Sequence, residues 1–185
     1  MFLQMTGNNS LKNFIFTFRE ELSRHAISAY TGLGPDLFNF ISSLTPIVNV
    51  DLLVYNSKGQ FLLSMRDDQH CGRGWHIPGG CIRFKETIDS RIKEVAKKEL
   101  SLTDFTYDKD PIKVFEIMWG KDQRNLENDD ERAHFITLVY KCYVPDTYII
   151  NNPYKSEKEA GYLKWFDTLP NNLLSIQNCY REILK

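Results

Sequence analysis

Net charge, paired cysteines and long apolar segments are all scarce in this chain of 185 residues. Its 23 lysines and arginines nearly balance its 24 aspartates and glutamates, which gives a formal net charge of −1. A near-neutral chain has no general positive field with which to hold nucleic acid, so we predict no nucleic-acid partner. A polyanionic substrate would have to be bound by a few local cationic side chains or by a metal ion.

The cysteine pattern and the hydropathy both indicate the cellular compartment of the protein. Its four cysteines contain no C-x-x-C pair, and no apolar run approaches the length of a transmembrane helix. The N-terminal residues are polar after Met5, and the charged residues Arg19 and Glu20 follow, which is unlike a secretory signal peptide. We therefore predict a cytoplasmic protein with reduced thiols and no membrane association.

Hydrophobic periodicity predicts an α/β (α+β) fold with a helical extension at its N-terminal end. One amphipathic helix is predicted over residues 11–30, and a second short helix from Asp36 to Leu44 would end before Pro46. The predicted strands are 47–55, 60–65, 75–80, 112–119, 134–144 and 163–166, and the later predicted helices are 87–100 and 173–184. This order predicts an N-terminal extension over 1–44 and one domain over 45–185, an α-β-α sandwich around a mixed sheet.

The helix predicted over residues 87–100 carries a carboxylate within its apolar stripe. On a helical wheel, Glu99 falls in the middle of the side formed by Ile88, Ile92, Val95 and Ala96. A carboxylate on a buried helix face is costly unless a cation or a set of hydrogen-bond donors satisfies it. Glu99 is therefore either a metal ligand, or a structural residue that pairs with a buried arginine or reaches solvent at the helix end.

Asp51 is the second carboxylate in an apolar setting. Its strand, IVNVDLLVY, has apolar residues on both sides of the aspartate, which indicates burial on both faces. A buried carboxylate needs a partner, and Arg66 at the end of the next strand is a candidate. A bidentate Asp51–Arg66 pair would be a purely structural answer, and a place for both residues in a functional site is the alternative.

The segment GGCIRFKETIDSRIKEVAKKELSL, residues 79–102, resembles the Nudix box, G-x5-E-x7-R-E-U-x-E-E-x-G-U, in which U is a bulky aliphatic residue. The matching positions are Gly80, Glu86, Ala96, Glu99 and Leu102. The departures are Glu94, Val95, Lys98 and Ser101. The resemblance implies the Nudix fold, whose box forms a loop–helix–loop that holds magnesium through a glycine carbonyl and several glutamates. Of those glutamates, only Glu99 stands at its place.

Longer stretches resemble one branch of the Nudix hydrolases, the GDP-mannose mannosyl hydrolases, over most of residues 45–185. The stretches that carry this resemblance are TPIVNVDLLVYNSKGQFLLSMR, GRGWHIPGG, AHFITLVYKCYV and YLKWF. That branch also keeps only the last glutamate of the box, and it cleaves the bond between sugar C1 and the diphosphate. This chain departs from the branch at Cys81 and Glu94, which stand where the branch has further arginines.

The resemblance implies a role for each of five residues. Gly79 would offer its carbonyl and Glu99 its carboxylate to Mg²⁺, with Mn²⁺ as the alternative cation. His134 would be the general base that takes a proton from the attacking water, and Asp51 and Arg66 would bind the substrate. The implied protein is a homodimeric hydrolase that converts a nucleoside diphosphate sugar to a nucleoside diphosphate and free sugar.

Two other functions remain open from the sequence. A Nudix pyrophosphatase would attack phosphorus, and it would need more carboxylate ligands, which the loop acids of residues 129–131 could supply. A non-catalytic Nudix domain would bind a nucleotide sugar or a protein, and the replaced glutamates of the box favour this alternative.

Several candidate residues also have structural interpretations. Glu86 is interpreted as a charge favoured at the start of a helix, and His134 as a strand-start histidine that a backbone carbonyl could satisfy. A zinc site is disfavoured because the spacing of the nearby histidines and cysteines does not match a paired motif. Those residues are His70, Cys71, His76 and Cys81.

Overall fold

The computed structural model describes residues 8–25, 34–42, 44–68, 71–118, 134–152 and 156–184. The helices are α1 (Asn8–His25), α2 (Pro35–Ser42) and α3 (Ile88–Leu100), followed by a C-terminal 3₁₀ helix (Ser175–Glu182). The strands are β1 (Ile47–Tyr55), β2 (Phe61–Asp68), β3 (Gly72–His76), β4 (Gly79–Cys81), β5 (Thr106–Tyr107), β6 (Lys113–Met118), β7 (His134–Tyr143) and β8 (Leu163–Phe166).

The strands form one mixed sheet, as the sequence predicted. Its main order is β3-β2-β1-β7-β5, while β4 also pairs with β1, β6 with β7 and β8 with β2. The central pair, β1 and β7, is parallel along its whole length, from Ile47 opposite Phe135 to Tyr55 opposite Tyr143. The other pairs are antiparallel. A strand at the centre of a covered sheet is apolar on both faces, which accounts for the sequence of β1.

Each face of the sheet is covered by its own apolar cluster, which confirms the predicted sandwich. Alternate residues of a strand point to opposite faces, so Val50 and Leu52 pack with α3. Leu53 points to the other face, where it packs in one cluster with Tyr180 of the 3₁₀ helix. The site therefore has a helix on either side of the strands that build it.

Local contacts fix both ends of α3. The side chain of Thr87 caps the helix by accepting from the Ser90 backbone N–H, and Ser101 ends it in the left-handed region with φ 53°. The carboxylate of Glu86 accepts from buried Arg91 at 2.6 Å, so the predicted structural role of Glu86 is an ion pair as well as a helix-start charge. The pair ties the loop before the helix to its first turns.

Two predicted elements differ from the structure. The single strand predicted over 75–80 is two strands, because Pro78 cannot donate to the ladder, and β3 pairs with β2 while β4 pairs with β1. The helix predicted over 173–184 is a shorter 3₁₀ helix. Strand β5 was not predicted, since two residues carry no periodicity. Residues 26–30 of the first predicted helix lie outside the described residues.

The described part of the chain also shows the state of the cysteines and whether any helix could cross a membrane. None of the four cysteines, all of which are described, forms a disulfide bond, and Cys142 is fully buried beneath α3. Across the described residues, no helix combines the length and the apolar character needed to cross a membrane.

Candidate functional site

A cavity of about 610 Å³ lies between the strand ends, the last turn of α3 and the start of the 3₁₀ helix. Its size is in the range of small-molecule sites, roughly 300–1,000 Å³. Four of the five predicted site residues line it, namely Asp51, Arg66, Gly79 and Glu99. These residues come from β1, β2, β4 and α3, so the fold brings together positions that are up to 48 residues apart in the chain.

Gly79 lies so close to Asp51 that the position excludes any side chain. The two residues are partners in the antiparallel β1–β4 pair. A Cβ atom on Gly79 would lie 1.9 Å from Oδ1 of Asp51 and 2.8 Å from the Val50 carbonyl oxygen. The glycine is therefore required for close approach of the backbone to a carboxylate.

Asp51 is buried, and its bonded partner is Tyr180. The Tyr180 hydroxyl donates to Oδ2 of Asp51 at 2.5 Å. The pKa of Asp51 is raised to about 7, chiefly by burial and also by the charge of Glu99, while the Tyr180 hydrogen bond and the charge of Arg66 act in the opposite direction. The structural alternative of a bidentate Asp51–Arg66 pair is therefore wrong, since Arg66 Nε donates to Asp68 instead.

Tyr180 is a site residue that the sequence analysis missed. It lies 129 positions after Asp51, in the 3₁₀ helix, and its ring packs edge-on against Phe115 with centroids 5.1 Å apart. Burial raises the pKa of its hydroxyl well above the ordinary value, so the group acts as a donor. No local pattern connects the two segments, and only the apolar face of the C-terminal helix indicates that Tyr180 points inward.

Glu99 faces a histidine in the cavity. Its Oε2 atom lies 3.5 Å from Nε2 of His76, whose Nδ1 lies 2.8 Å from the carbonyl oxygen of Ser64. A carbonyl oxygen only accepts, so Nδ1 carries the hydrogen, and this bond orients the ring toward Glu99. The predicted alternative of a buried arginine as the partner is not what the structure shows. His76 is thus a positioning residue for the carboxylate.

The oxygen donors in the cavity suit a magnesium ion that is bound partly by the protein and partly by substrate phosphates. Gly79 offers a carbonyl, and Glu99 and Asp51 offer carboxylates, which are hard ligands of the kind Mg²⁺ prefers. Among the described residues, no group of three or more His, Cys, Asp or Glu side chains is placed to hold a metal ion. Magnesium commonly binds through one or two carboxylates together with substrate phosphates, and this donor set fits that mode.

Two cationic side chains line the same cavity. Arg66 was predicted to do so, whereas Lys98 was noted only as a departure from the Nudix box. Lys98 directly precedes Glu99 and forms an exposed ion pair with Glu94 at 3.0 Å. A lysine where the box has a glutamate changes the local charge by two units.

His134 is not brought together with the other predicted residues. Its neighbours Phe135 and Thr137 line the cavity, so alternation along β7 directs His134 to the opposite face of the sheet. Its Nε2 atom lies 3.1 Å from Oε1 of Glu116 on β6. The partner is a carboxylate rather than the backbone carbonyl considered from the sequence. The loop acids 129–131 lie outside the described residues, and so does His70.

The architecture is that of the Nudix hydrolases. A MutT Nudix hydrolase from Burkholderia pseudomallei matches with a TM-score of 0.54 at 18% identity, covering 75% of this chain and 97% of that chain. A possible asymmetric diadenosine tetraphosphate hydrolase from Jonesia denitrificans matches with a TM-score of 0.53 at 17% identity, covering 75% and 91% of the two chains. At these identities the likeness establishes the Nudix fold, as the sequence predicted.

Sequence comparison gives a more distant indication of relatives. The low-salt glycan biosynthesis protein Agl8 of Haloferax volcanii is 27% identical over 116 residues, which are 63% of this chain and 70% of that protein. No protein-family model matches the chain. The structural likeness thus shows the fold alone.

Proposed function

We propose that this protein is a magnesium-dependent hydrolase of a nucleoside diphosphate sugar, similar to GDP-mannose, that releases nucleoside diphosphate and free sugar. The observation that carries the proposal is the convergence of Gly79, Glu99 and Asp51 in one cavity that Arg66 and Lys98 also line. Oxygen ligands suit a hard cation, and two side-chain cations suit the remaining charge of a diphosphate.

The sugar in the proposed substrate has separate support. The Haloferax volcanii relative is named for glycan biosynthesis, which agrees with a substrate that carries a sugar. The stretches resembling GDP-mannose mannosyl hydrolases supply Asp51, Arg66 and Gly79, the box segment supplies Glu99, and all four residues line the cavity.

The small number of acidic ligands favours attack at carbon over attack at phosphorus. Attack at phosphorus by the usual Nudix route requires several glutamates, whereas among the described residues the cavity is lined by one glutamate, Glu99, and by three aspartates. Of those aspartates, Asp67 and Asp68 form ion pairs with Arg73 and Arg66, which leaves Glu99 and Asp51 as the acids not paired with an arginine. Cleavage of the bond from C1 to oxygen needs a stabilised leaving diphosphate, and a magnesium ion held by Glu99 and Gly79 would supply that stabilisation as a Lewis acid. Within this scheme Glu99 and Gly79 hold the cation, and Arg66 binds the diphosphate.

The general base is proposed from the resemblance and not from the cavity geometry. His134 is the residue that the resemblance assigns as the base, and its Nε2 atom lies within hydrogen-bonding distance of the Glu116 carboxylate. Loss of a general base lowers the rate by roughly 10²–10⁴-fold, so His134→Ala should lower kcat by that amount and alter the pH profile. A near-wild-type rate across the pH range would show that His134 is not the base.

Product identification in water labelled with oxygen-18 tests the reaction. The protein is incubated with magnesium and a panel that includes GDP-mannose and GDP-glucose, and products are identified by phosphorus and proton NMR. We expect nucleoside diphosphate without label together with free sugar that carries it at C1. Nucleoside monophosphate and sugar phosphate, with label on phosphorus, would instead establish a pyrophosphatase.

The role of Glu99 is tested against a matched glutamate on the same helix. Glu99→Gln should sharply raise the magnesium concentration needed for half-maximal rate, because it removes the charged ligand. Glu94→Gln changes a carboxylate that pairs with Lys98 but does not itself line the cavity, and it should leave that concentration unchanged. An equal response of the two variants would contradict metal binding by Glu99.

A non-catalytic binding domain is the second candidate. The observations in its favour are the departures from the Nudix box at Glu94, Val95, Lys98 and Ser101. Binding of a nucleotide sugar without turnover of any panel member would support it over the enzyme.

The remaining properties follow from the resemblance and the composition. We propose a homodimer located in the cytoplasm. Sedimentation equilibrium should give twice the chain mass of 21.7 kDa, and a single-chain mass would contradict the dimer.

A further inference from the structure

Two buried polar atoms in the described part of the protein have no hydrogen-bond partner. They are Oδ1 of Asn49 and Oγ1 of Thr137. The Thr137 side chain is only 1% exposed. Burying a polar group without a partner is costly, so natural folds rarely keep such groups unless a ligand or a water satisfies them.

These two atoms belong to neighbouring side chains on one wall of the cavity. Asn49 on β1 and Thr137 on β7 are direct partners in the parallel pair, and both residues line the cavity. In-register partners project from the same face of a sheet, and residues two apart on a strand share a face. Asn49 and Thr137 therefore lie on the same face as Asp51.

The chemistry of the pair restricts what it can bind. A carbonyl oxygen such as Asn49 Oδ1 only accepts, while the Thr137 hydroxyl both donates and accepts. A diphosphate oxygen offers no donor and cannot satisfy Asn49. A sugar hydroxyl can donate to Asn49 and also exchange a hydrogen bond with Thr137.

The distance from the proposed cation site identifies the part of the substrate. Asn49 precedes Asp51 by two residues, which is about 7 Å along the strand. Asp51 is itself the strand partner of Gly79. A group held that far from Gly79 is one attached directly to the diphosphate, which excludes the nucleobase. Both the leaving sugar and the ribose of the nucleoside are attached in this way, and only the ribose is also present in GDP.

We propose that Asn49 and Thr137 form the subsite that binds hydroxyl groups of the sugar leaving from the diphosphate, and so contribute to sugar specificity. The inference rests on the proposed function and extends it to named residues. The subsite contributes nothing to binding of the nucleoside diphosphate itself.

Equilibrium binding of two ligands by isosteric variants tests the subsite. The probes are GDP-mannose and GDP, with calcium in place of magnesium to suppress turnover, and the variants are Thr137→Val and Asn49→Leu. One lost hydrogen bond corresponds to roughly a fivefold change in Kd. Each variant should weaken GDP-mannose binding by about that factor and leave the Kd of GDP unchanged.

A matched variant and a stability measurement separate ligand binding from structural effects. Thr106→Val changes an exposed threonine on β5 outside the cavity lining, and it should alter neither Kd. Thr137→Val removes an unpaired buried hydroxyl, so the unliganded variant should keep or raise its Tm. A clear fall in Tm would show that the hydroxyl has a structural partner, and would overturn the subsite.

The outcomes also distinguish the subsite from the proposed function. Equal weakening of both ligands, or of neither, would overturn the sugar subsite while leaving nucleotide-sugar binding intact. If wild-type protein bound GDP but no nucleotide sugar of the panel, including GDP-mannose and GDP-glucose, the proposed function would fall and the subsite with it.

Discussion

Gly79 and Asp51 face each other at a separation that leaves no space for a methyl group, and this contact is the sharpest constraint at the residue scale. The Gly79→Ala variant should lose activity by about 100-fold, since a displacement near 1 Å at a reacting centre has effects of that size. The clash with Oδ1 of Asp51 at 1.9 Å supplies the displacement. Steady-state kinetics with the substrate found in the product assay measures the effect.

Gly59 offers the matched control for that substitution. A Cβ on Gly59 meets nothing within 4 Å, and its φ of 78° makes alanine strained only in the backbone. The Gly59→Ala variant should lose about 1 kcal/mol of unfolding free energy and keep its activity. Equal activities for the two alanine variants would contradict the close approach at Gly79.

Cys142 illustrates how burial controls the reactivity of a residue. Burial and, to a smaller extent, the charge of Asp108 raise the pKa of its thiol to about 12. A raised pKa lowers the thiolate fraction, and the thiolate is the reactive species. At about pH 8, Cys142 should therefore resist Ellman's reagent in the native protein and react in urea. Mass spectrometry locates the label, and rapid native labelling of Cys142 would refute the prediction.

At the scale of elements, α3 depends on the buried pair between Arg91 and Glu86. Their side chains are 6% and 16% exposed, so removing the arginine leaves an unpaired carboxylate in a poorly solvated place. Arg91→Met should lower the free energy of unfolding by about 3 kcal/mol, which urea titration measures.

The exposed pair on the same helix is the control for Arg91. Lys93 and Asp89 are 62% and 52% exposed, and such surface pairs contribute about 0.5 kcal/mol or less. Lys93→Met should therefore be nearly neutral. Adding Glu86→Gln to Arg91→Met should recover part of the loss, because it removes the unpaired charge; no recovery would point to lost packing instead.

The strand pairs show which elements the sequence could predict. β1 and β8 begin and end where their apolar patterns begin and end. The apolar pattern of a strand depends on which of its own residues are buried, so it can be recognised from the strand's sequence alone. β4 is only three residues long and is defined by its pairing with β1 rather than by periodicity. The same limit applies to the C-terminal segment, where an apolar face predicts a helix without distinguishing the 3₁₀ form.

At the scale of the whole molecule, the two core clusters are built from the C-terminal 136 residues of the chain. Their buried members run from Val50 to Tyr180, and none comes from α1 or α2 among the described residues. We therefore predict that a variant lacking residues 1–44 folds and binds nucleotide sugar with an unchanged Kd. Calorimetry and binding titration check this, and an aggregated or unfolded variant would show that the extension belongs to the domain.

The sequence alone determined the chemistry available to this protein and the segments that carry it. The box-like spacing indicated Glu99, and the resemblance of the neighbouring stretch indicated Gly79. An aspartate within an apolar strand indicated Asp51, because a buried carboxylate is costly without a function or a partner. Those inferences depend only on the sequence around each residue. They needed no knowledge of which strand lies beside which.

Only the tertiary structure decided which side chains are partners and which face of the sheet each one occupies. It joined Asp51 to Tyr180 across 129 positions and placed Asn49 beside Thr137. It also turned His134 toward Glu116, because side chains alternate along β7 and the register with β6 fixes which face each one takes. Contacts of this kind depend on how distant strands align, and a single sequence does not record that alignment.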